Sequence, residues 1–135
     1  MKKIFAAAAL AITIGMIGVS ALPQEQAQTS ATAWLTLVDG RKYDQSWTET
    51  SSIFRTMFKK PDWAAKAAQV RDPLGAVTSR KHLNTTLANS LPGVPDGEYA
   101  VLRFDTSFAK KAKAVETVTL KVEEGKWKVA GYFVR

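Results

Sequence analysis

Arg80 and Glu116 are the two residues whose types and placing most directly suggest chemistry. By strand parity Glu116 shares a face with Val118, Leu120 and Val122. A carboxylate among apolar neighbours is costly unless it is paired. Arg80 is the expected partner, provided that its strand lies close and presents the same face. Arg103 and Arg71 are the alternatives. Three arrangements are open. The pair can form the polar floor of a pocket for an anionic or carbonyl ligand, it can be a structural ion pair near the strand end, or Glu116 can simply be exposed there.

Other reactive residue types offer less. His82 is the sole histidine, so a histidine-based triad or multi-histidine metal site is excluded. It follows Arg80 and Lys81 on a polar stretch and reads as a surface residue. There are no cysteines, which excludes disulfides, thiolate catalysis, cysteine-containing zinc sites and lipid attachment through cysteine. Asp39, Asp44, Asp62 and Asp72 fall at expected helix ends, where capping accounts for them. Asp105-Thr106-Ser107 lacks the strand–Gly-x-Ser-x-Gly–helix context of a hydrolase. Gly75, Gly93 and Gly97 are isolated and form no phosphate loop. Lys110, Lys111 and Lys113 make a basic turn without interleaved aromatics, so no nucleic-acid face is expected. The tryptophans 34, 47, 63 and 127 are mainly core residues; Trp47 and Tyr43 are the candidates to line the mouth of a ligand pocket. No metal site, catalytic constellation or cofactor motif emerges.

These residues must be positioned by elements that the hydrophobic pattern outlines. Trp34, Leu35, Leu37 and Val38 recur at helical spacing, and Asp39-Gly40 stops that helix. Asp44 can cap a second helix carrying Trp47. Ser51 or Ser52 breaks it before Ile53, Phe54, Met57 and Phe58. Pro61 suits the first turn of a further helix, with Trp63, Ala67 and Val70 on one face, closed by Asp72-Pro73. Strands follow. The first starts at Val77 and alternates imperfectly, as at an edge. Leu91 to Gly97 is dense in turn formers. Glu98 to Phe108 presents Ala100, Leu102, Phe104 and Phe108 on one face. Val115 to Glu123 is a third strand, Glu123-Glu124-Gly125 a hairpin turn, and Gly125 to Arg135 a fourth strand. On that last strand simple alternation puts Trp127, Val129, Gly131 and Phe133 on the covered face. It leaves Tyr132 and Val134 on the other. Helices followed by an antiparallel meander predict an α+β fold, with N-terminal helices packed on a curved sheet of about four strands.

The first 21 residues, MKKIFAAAALAITIGMIGVSA, have the parts of a secretory signal: Lys2 and Lys3, an apolar run from Ile4 to Val19, and small residues at Val19-Ser20-Ala21. Cleavage is expected after Ala21, with Ala27 as a second option, and the mature protein is expected to be periplasmic or secreted, with no stable membrane insertion. The apolar run is about 16 residues, shorter than the roughly 20 of a spanning helix. Residues 22–30 are expected to be a flexible linker and 31–135 a single domain. The chain carries a formal net charge of +7; removal of Lys2 and Lys3 leaves 17 basic against 12 acidic residues, a net +5. That surplus serves solubility or weak contact with anionic surfaces.

Five stretches together resemble a known family. They are AWLTLVDGRKYDQSW (Ala33 to Trp47), RDPLGAVTSR (Arg71 to Arg80), LPGVPDGEY (Leu91 to Tyr99), FDTSF (Phe104 to Phe108) and KWKVAGYF (Lys126 to Phe133). In order and spacing they are similar to the bacterial domain of unknown function 4019 family. Element order also resembles cystatin-like or nuclear-transport-factor-2-like folds, in which helices and a bent sheet form a cone. The resemblance implies bacterial export and a fold, and brings no activity and no catalytic residues. The polar positions it covers are Asp39, Tyr43, Arg71, Arg80, Asp105 and Glu116. Three functions fit this reading. The first is a non-enzymatic exported domain that binds a small ligand or an envelope protein at the sheet–helix cleft, through Arg80, Glu116, Tyr43 and Trp47. The second is a small hydrolase- or isomerase-like enzyme using a buried carboxylate. The third is an interaction protein that dimerises through the open sheet face carrying Tyr132 and Val134.

Overall fold

The computed structural model describes residues 23–135. The expected signal segment, 1–21, and its cleavage site lie outside the described residues. Among these residues four α-helices, α1 (Pro23–Asp39), α2 (Tyr43–Thr48), α3 (Ser52–Met57) and α4 (Lys60–Arg71), and a short 3-10 helix (Asp72–Leu74) precede four strands, β1 (Val77–Ala88), β2 (Tyr99–Phe108), β3 (Lys111–Glu123) and β4 (Lys126–Val134). The strands form one antiparallel sheet in the order β1-β2-β3-β4, an open meander rather than a closed barrel. The α+β architecture is the one the sequence predicts. Among the described residues, no helix is long and apolar enough to cross a membrane.

Helix α1 buries Ala27, Ala31, Trp34, Leu35 and Val38, a single stripe at three- and four-residue spacing. It starts at Pro23, whose missing N–H costs nothing in a first turn. The stretch 22–30 expected to be a flexible linker is therefore helical from Pro23, and Ala27 within it is fully buried. Its small side chain, unremarkable in the hydrophobic pattern, is what lets the helix lie close to the core. Ser51 caps α3 by accepting the Phe54 N–H at 3.3 Å, whereas Lys42 precedes α2 without a side-chain cap and Asp44 sits inside the first turn. Pro61 and Asp62 occupy the first turn of α4, as expected.

The helices cover one face of the sheet. The core joins Trp34, Leu35, Phe54 and Trp63 from the helices to Leu102, Phe104, Val118, Leu120 and Val129 from the strands. Ser46, fully buried, links the helical layer: its carbonyl accepts from Trp34 Nε1 and its hydroxyl oxygen from Trp63 Nε1, both at 2.9 Å. β3 begins at Lys111, so Lys111 and Lys113 belong to the strand and only Lys110 to the turn. The β3–β4 hairpin turns through Glu124 and Gly125, with φ of 53° and 76°, the two left-handed residues of a tight hairpin.

The last strand departs from simple alternation. Thr119 pairs with Gly131 but Leu120 with Val129, so Ala130 is an extra residue, a β-bulge. Because side chains alternate with period two, one inserted residue exchanges the faces of everything beyond it. Trp127 and Val129 still pack on the core, but after the bulge Tyr132 turns inward and Phe133 outward, 48% exposed. The expected placement of Phe133 in the core and of Tyr132 on the open face is thereby reversed.

Candidate functional site

Glu116 lies on β3 opposite Phe104 of β2 and Val134 of β4, facing the helices, and is fully buried. Four hydrogen bonds reach it. Oε1 accepts from Arg80 Nε at 2.7 Å and from the Thr106 hydroxyl at 2.6 Å. Oε2 accepts from Arg80 Nη2 at 3.2 Å and from the Tyr132 hydroxyl at 2.5 Å. The expected partner is thus the one found; Arg103 instead reaches Asn84 on the outer face, and Arg71 serves a second carboxylate.

That carboxylate is Asp39, the last residue of α1. Its oxygens accept from Arg80 Nη1 at 2.8 Å, Arg80 Nη2 at 3.0 Å and Arg71 Nη2 at 2.9 Å. The planar guanidinium of Arg80 therefore holds one carboxylate on each of two edges, a geometry lysine cannot reproduce. Asp39, read from the sequence as a cap, is instead a node between α1, α4 and β1. Arg71 is nearly as buried as Glu116, at 6% exposure. Its guanidinium lies over the Phe108 ring at 5.0 Å, and its Nε and Nη1 have no hydrogen-bond partner among the described residues. Two cations meet two anions, so the cluster is neutral as a whole.

Electrostatics follow from this geometry. Burial raises the Asp39 carboxyl, but hydrogen bonds and charge from Arg80 and Arg71 outweigh it and hold the group below the ordinary aspartate range. Burial, the charge of Glu116 and the hydrogen bond to it push the Tyr132 phenol far up. Burial lowers the Arg80 guanidinium, yet Asp39 and Glu116 outweigh that and leave it firmly charged.

The other two sequence-derived candidates stand apart from this cluster. Trp47 donates its indole N–H to the Phe58 carbonyl at 2.7 Å, with Lys60 and Arg55 over its ring at 5.5 and 5.9 Å. Tyr43 packs partly buried against the core; burial first, then the charge of Asp72, raises its phenol. No hydrogen bond joins either to Arg80 or Glu116 among the described residues. His82 is half-buried rather than a plain surface residue, its Nε2 sharing a hydrogen bond with Thr85 at 2.7 Å and its ring edge-on to Phe104. Thr106 and Tyr132 were the cluster members the sequence hid. Thr106 offered one signal, a polar residue at the inward parity of a row otherwise made of Ala100, Leu102, Phe104 and Phe108.

Two clefts flank the cluster. An open polar one of about 800 Å³ lies on the outer sheet face around Lys81, Asp105, Lys113 and Arg135. A more enclosed, mainly apolar groove of about 520 Å³ runs between the helices and the free edge of β4. Phe54, Phe58, Trp63 and Val70 wall it on the helical side, and Tyr132, Phe133 and Val134 on the strand side. Met57, 60% exposed, and Phe133 stand at its rim.

An open α+β domain with an internal two-arginine, two-carboxylate cluster defines the class of protein. The chain belongs to the family described as Protein of unknown function (DUF4019), whose model matches residues 30–132. Among solved structures it is similar to a protein from Kribbella flavida DSM 17836, at TM-score 0.50 and 15% identity, over 82% of this chain and 85% of that one. At that identity the likeness is one of fold. Comparison with curated proteins gives no match.

Proposed function

We propose that this is an exported, non-enzymatic binding domain of the bacterial envelope, which takes an apolar ligand or a segment of a protein partner in the groove between α3, α4 and β4. The observation that carries the reading is that groove: about 520 Å³, in the range of ordinary ligand sites, with two large apolar side chains left exposed at its rim. The polar cluster argues in the same direction. Each oxygen of Glu116 already accepts two hydrogen bonds, the full capacity of a carboxylate, so it has no lone pair to offer a substrate proton. The pair of Arg80 and Glu116 therefore supports the wall of the groove through Tyr132 and does not itself hold a ligand. Dimerisation through an outer face bearing Tyr132 and Val134 loses its basis, since both side chains point to the helices. Export rests on the leader pattern of residues 1–21.

Intact and native mass spectrometry of the soluble periplasmic fraction from an expressing bacterium tests both parts. The expected result is a chain starting at Leu22 that carries an additional bound mass, lost when Phe133→Lys puts a charge at the groove. Full-length chain in the membrane fraction would refute the export reading. A mature chain with no bound mass, which also fails to enhance the fluorescence of an apolar dye, would refute the binding reading.

A further inference from the structure

The edge of β4 that borders the groove is unpaired backbone. Val115 and Arg135 exchange both of their backbone hydrogen bonds, at 2.8 and 3.1 Å. In an antiparallel pair such residues alternate with residues whose N–H and C=O point away from the partner. Counting back from Arg135, Phe133 is bonded to β3, and Val134 and Tyr132 direct their N–H and C=O to the open edge. No other backbone in the described residues reaches those groups. Further along, the chain itself fills the same edge: Ser51 donates its N–H to the Val129 carbonyl at 2.7 Å, and Thr50 bridges Val129 in parallel. The edge is therefore a surface on which an extended backbone already sits for part of its length, and it stops where the apolar groove begins.

Among the described residues, Lys66 is the charged side chain in the groove lining and no carboxylate lines it, while Arg135 stands over the Phe133 ring at 5.8 Å. A second copy of the chain docking edge to edge would bring two edges bearing Lys66 and Arg135 to one seam, where a partner carrying carboxylates offsets the charge and a copy adds to it. We infer that the edge from Tyr132 to Val134 and the adjoining groove bind an extended peptide segment of alternating apolar and acidic residues, which adds a fifth strand to the sheet. Its apolar side chains enter the groove, and its acidic ones, on the opposite face of the added strand, meet Arg135 beside the outward Phe133. Backbone hydrogen bonds supply affinity and the groove supplies selectivity. The inference rests on the binding reading above and names its occupant.

The test uses the exported chain and four capped hexapeptides: alternating Val and Glu, the same with Lys for Glu, and two forms of the Val–Glu peptide N-methylated at every second residue, one in each register. The Val–Glu peptide is expected to bind and to slow amide hydrogen exchange at Tyr132 and Val134. Methylation in the register that faces β4 should weaken binding about tenfold or more, because two backbone donors are lost, and methylation in the other register should weaken it far less. The Lys peptide should bind at least about tenfold more weakly. Val134→Pro, which removes an edge N–H that the fold does not use, should abolish the peptide-induced protection; if that variant does not fold, the methylated pair decides alone. Equal binding of the two methylated peptides, with an apolar dye still bound, overturns strand addition and leaves the groove reading standing. If neither peptide nor dye binds, both fall. Equal binding of the Glu and Lys peptides overturns the acidic preference. Concentration-dependent protection of Tyr132 and Val134 without peptide would make a second copy the occupant and overturn the inference.

Discussion

Replacing Arg80 with Met should be among the most damaging single substitutions in this domain. Arg80 is 14% exposed and supplies two of the four hydrogen bonds to Glu116 and two of the three to Asp39. Its loss leaves Glu116 fully buried with only two hydroxyl donors, an uncompensated charge. Breaking a buried pair in this way costs about 3–5 kcal/mol, a large share of the roughly 5–15 kcal/mol typical of a whole domain. Urea unfolding followed by tryptophan fluorescence reads it directly, since Trp34 and Trp63 are buried. With a slope of about 2 kcal/mol per molar, the midpoint should fall by about 2 M. The informative comparison is Arg80→Met with Glu116→Leu. Glu116→Leu alone strands the Thr106 and Tyr132 hydroxyls, at a cost of about 2–4 kcal/mol. The double variant removes the stranded charge as well, so it should be no worse than Arg80→Met by itself, a coupling of about 3 kcal/mol. Additive costs, or an Arg80→Met loss below about 1 kcal/mol, would refute the view that the two groups are one buried unit.

Two further expectations follow from the structure. Asp39 is held below its unfolded value of 3.8, so its contribution is complete above that pH and is lost as pH falls through the folded value; Tyr132 is held above 10.0, so its contribution is complete below that pH and is lost as pH rises through the folded value. Thermal unfolding scanned by pH should show a plateau with losses below about pH 4 and above about pH 10, the alkaline loss reduced in Tyr132→Phe; an unchanged alkaline limb in that variant would be the contrary result. Gly75→Ala should destabilise by about 1 kcal/mol or more, because φ is +78° and the added Cβ would lie 3.2 Å from Ala109 Cβ, whereas Gly97→Ala comes close to the movable end of Lys121, at 3.1 Å, and makes ordinary contact with the Tyr99 ring, so it should be near neutral in the same melts.

The layer order and most elements were legible because the signals are local. Proline at a first turn, three- and four-residue spacing and period-two alternation each report on a single element. The pairing of Arg80 with Glu116 was legible too, since a charge at an inward position must find a counter-charge. What escaped were features set by the partner strand or by distant elements. Nothing in KVAGYF marks Ala130 as an extra residue; the bulge appears only when β3 fixes the register, and with it the choice between Tyr132 and Phe133. Asp39 at a helix end satisfied a local explanation, and only the approach of α4 and β1 shows that two arginines compete for it. The alanines and polar residues from Pro23 to Ser30 carry weak hydrophobicity, so their helical state depends on Ala27 meeting the core.

The charged cluster also has a bearing on time rather than on equilibrium. Its arginine bonds join residues 32, 36 and 41 positions apart, its hydroxyl bonds residues 10 and 16 apart, and together they unite two helix ends with all four strands. Such contacts form only after the long loops between them have closed, late in assembly. Interactions missing from the folding transition state leave the folding rate nearly untouched and act on the rate of escape from the native state. On the scale of about 3–5 kcal/mol above, the cluster prolongs the native lifetime by about two to four orders of magnitude. For a chain without cysteines, a latch of salt bridges at the far end of the folding reaction fills the role that a covalent staple fills elsewhere.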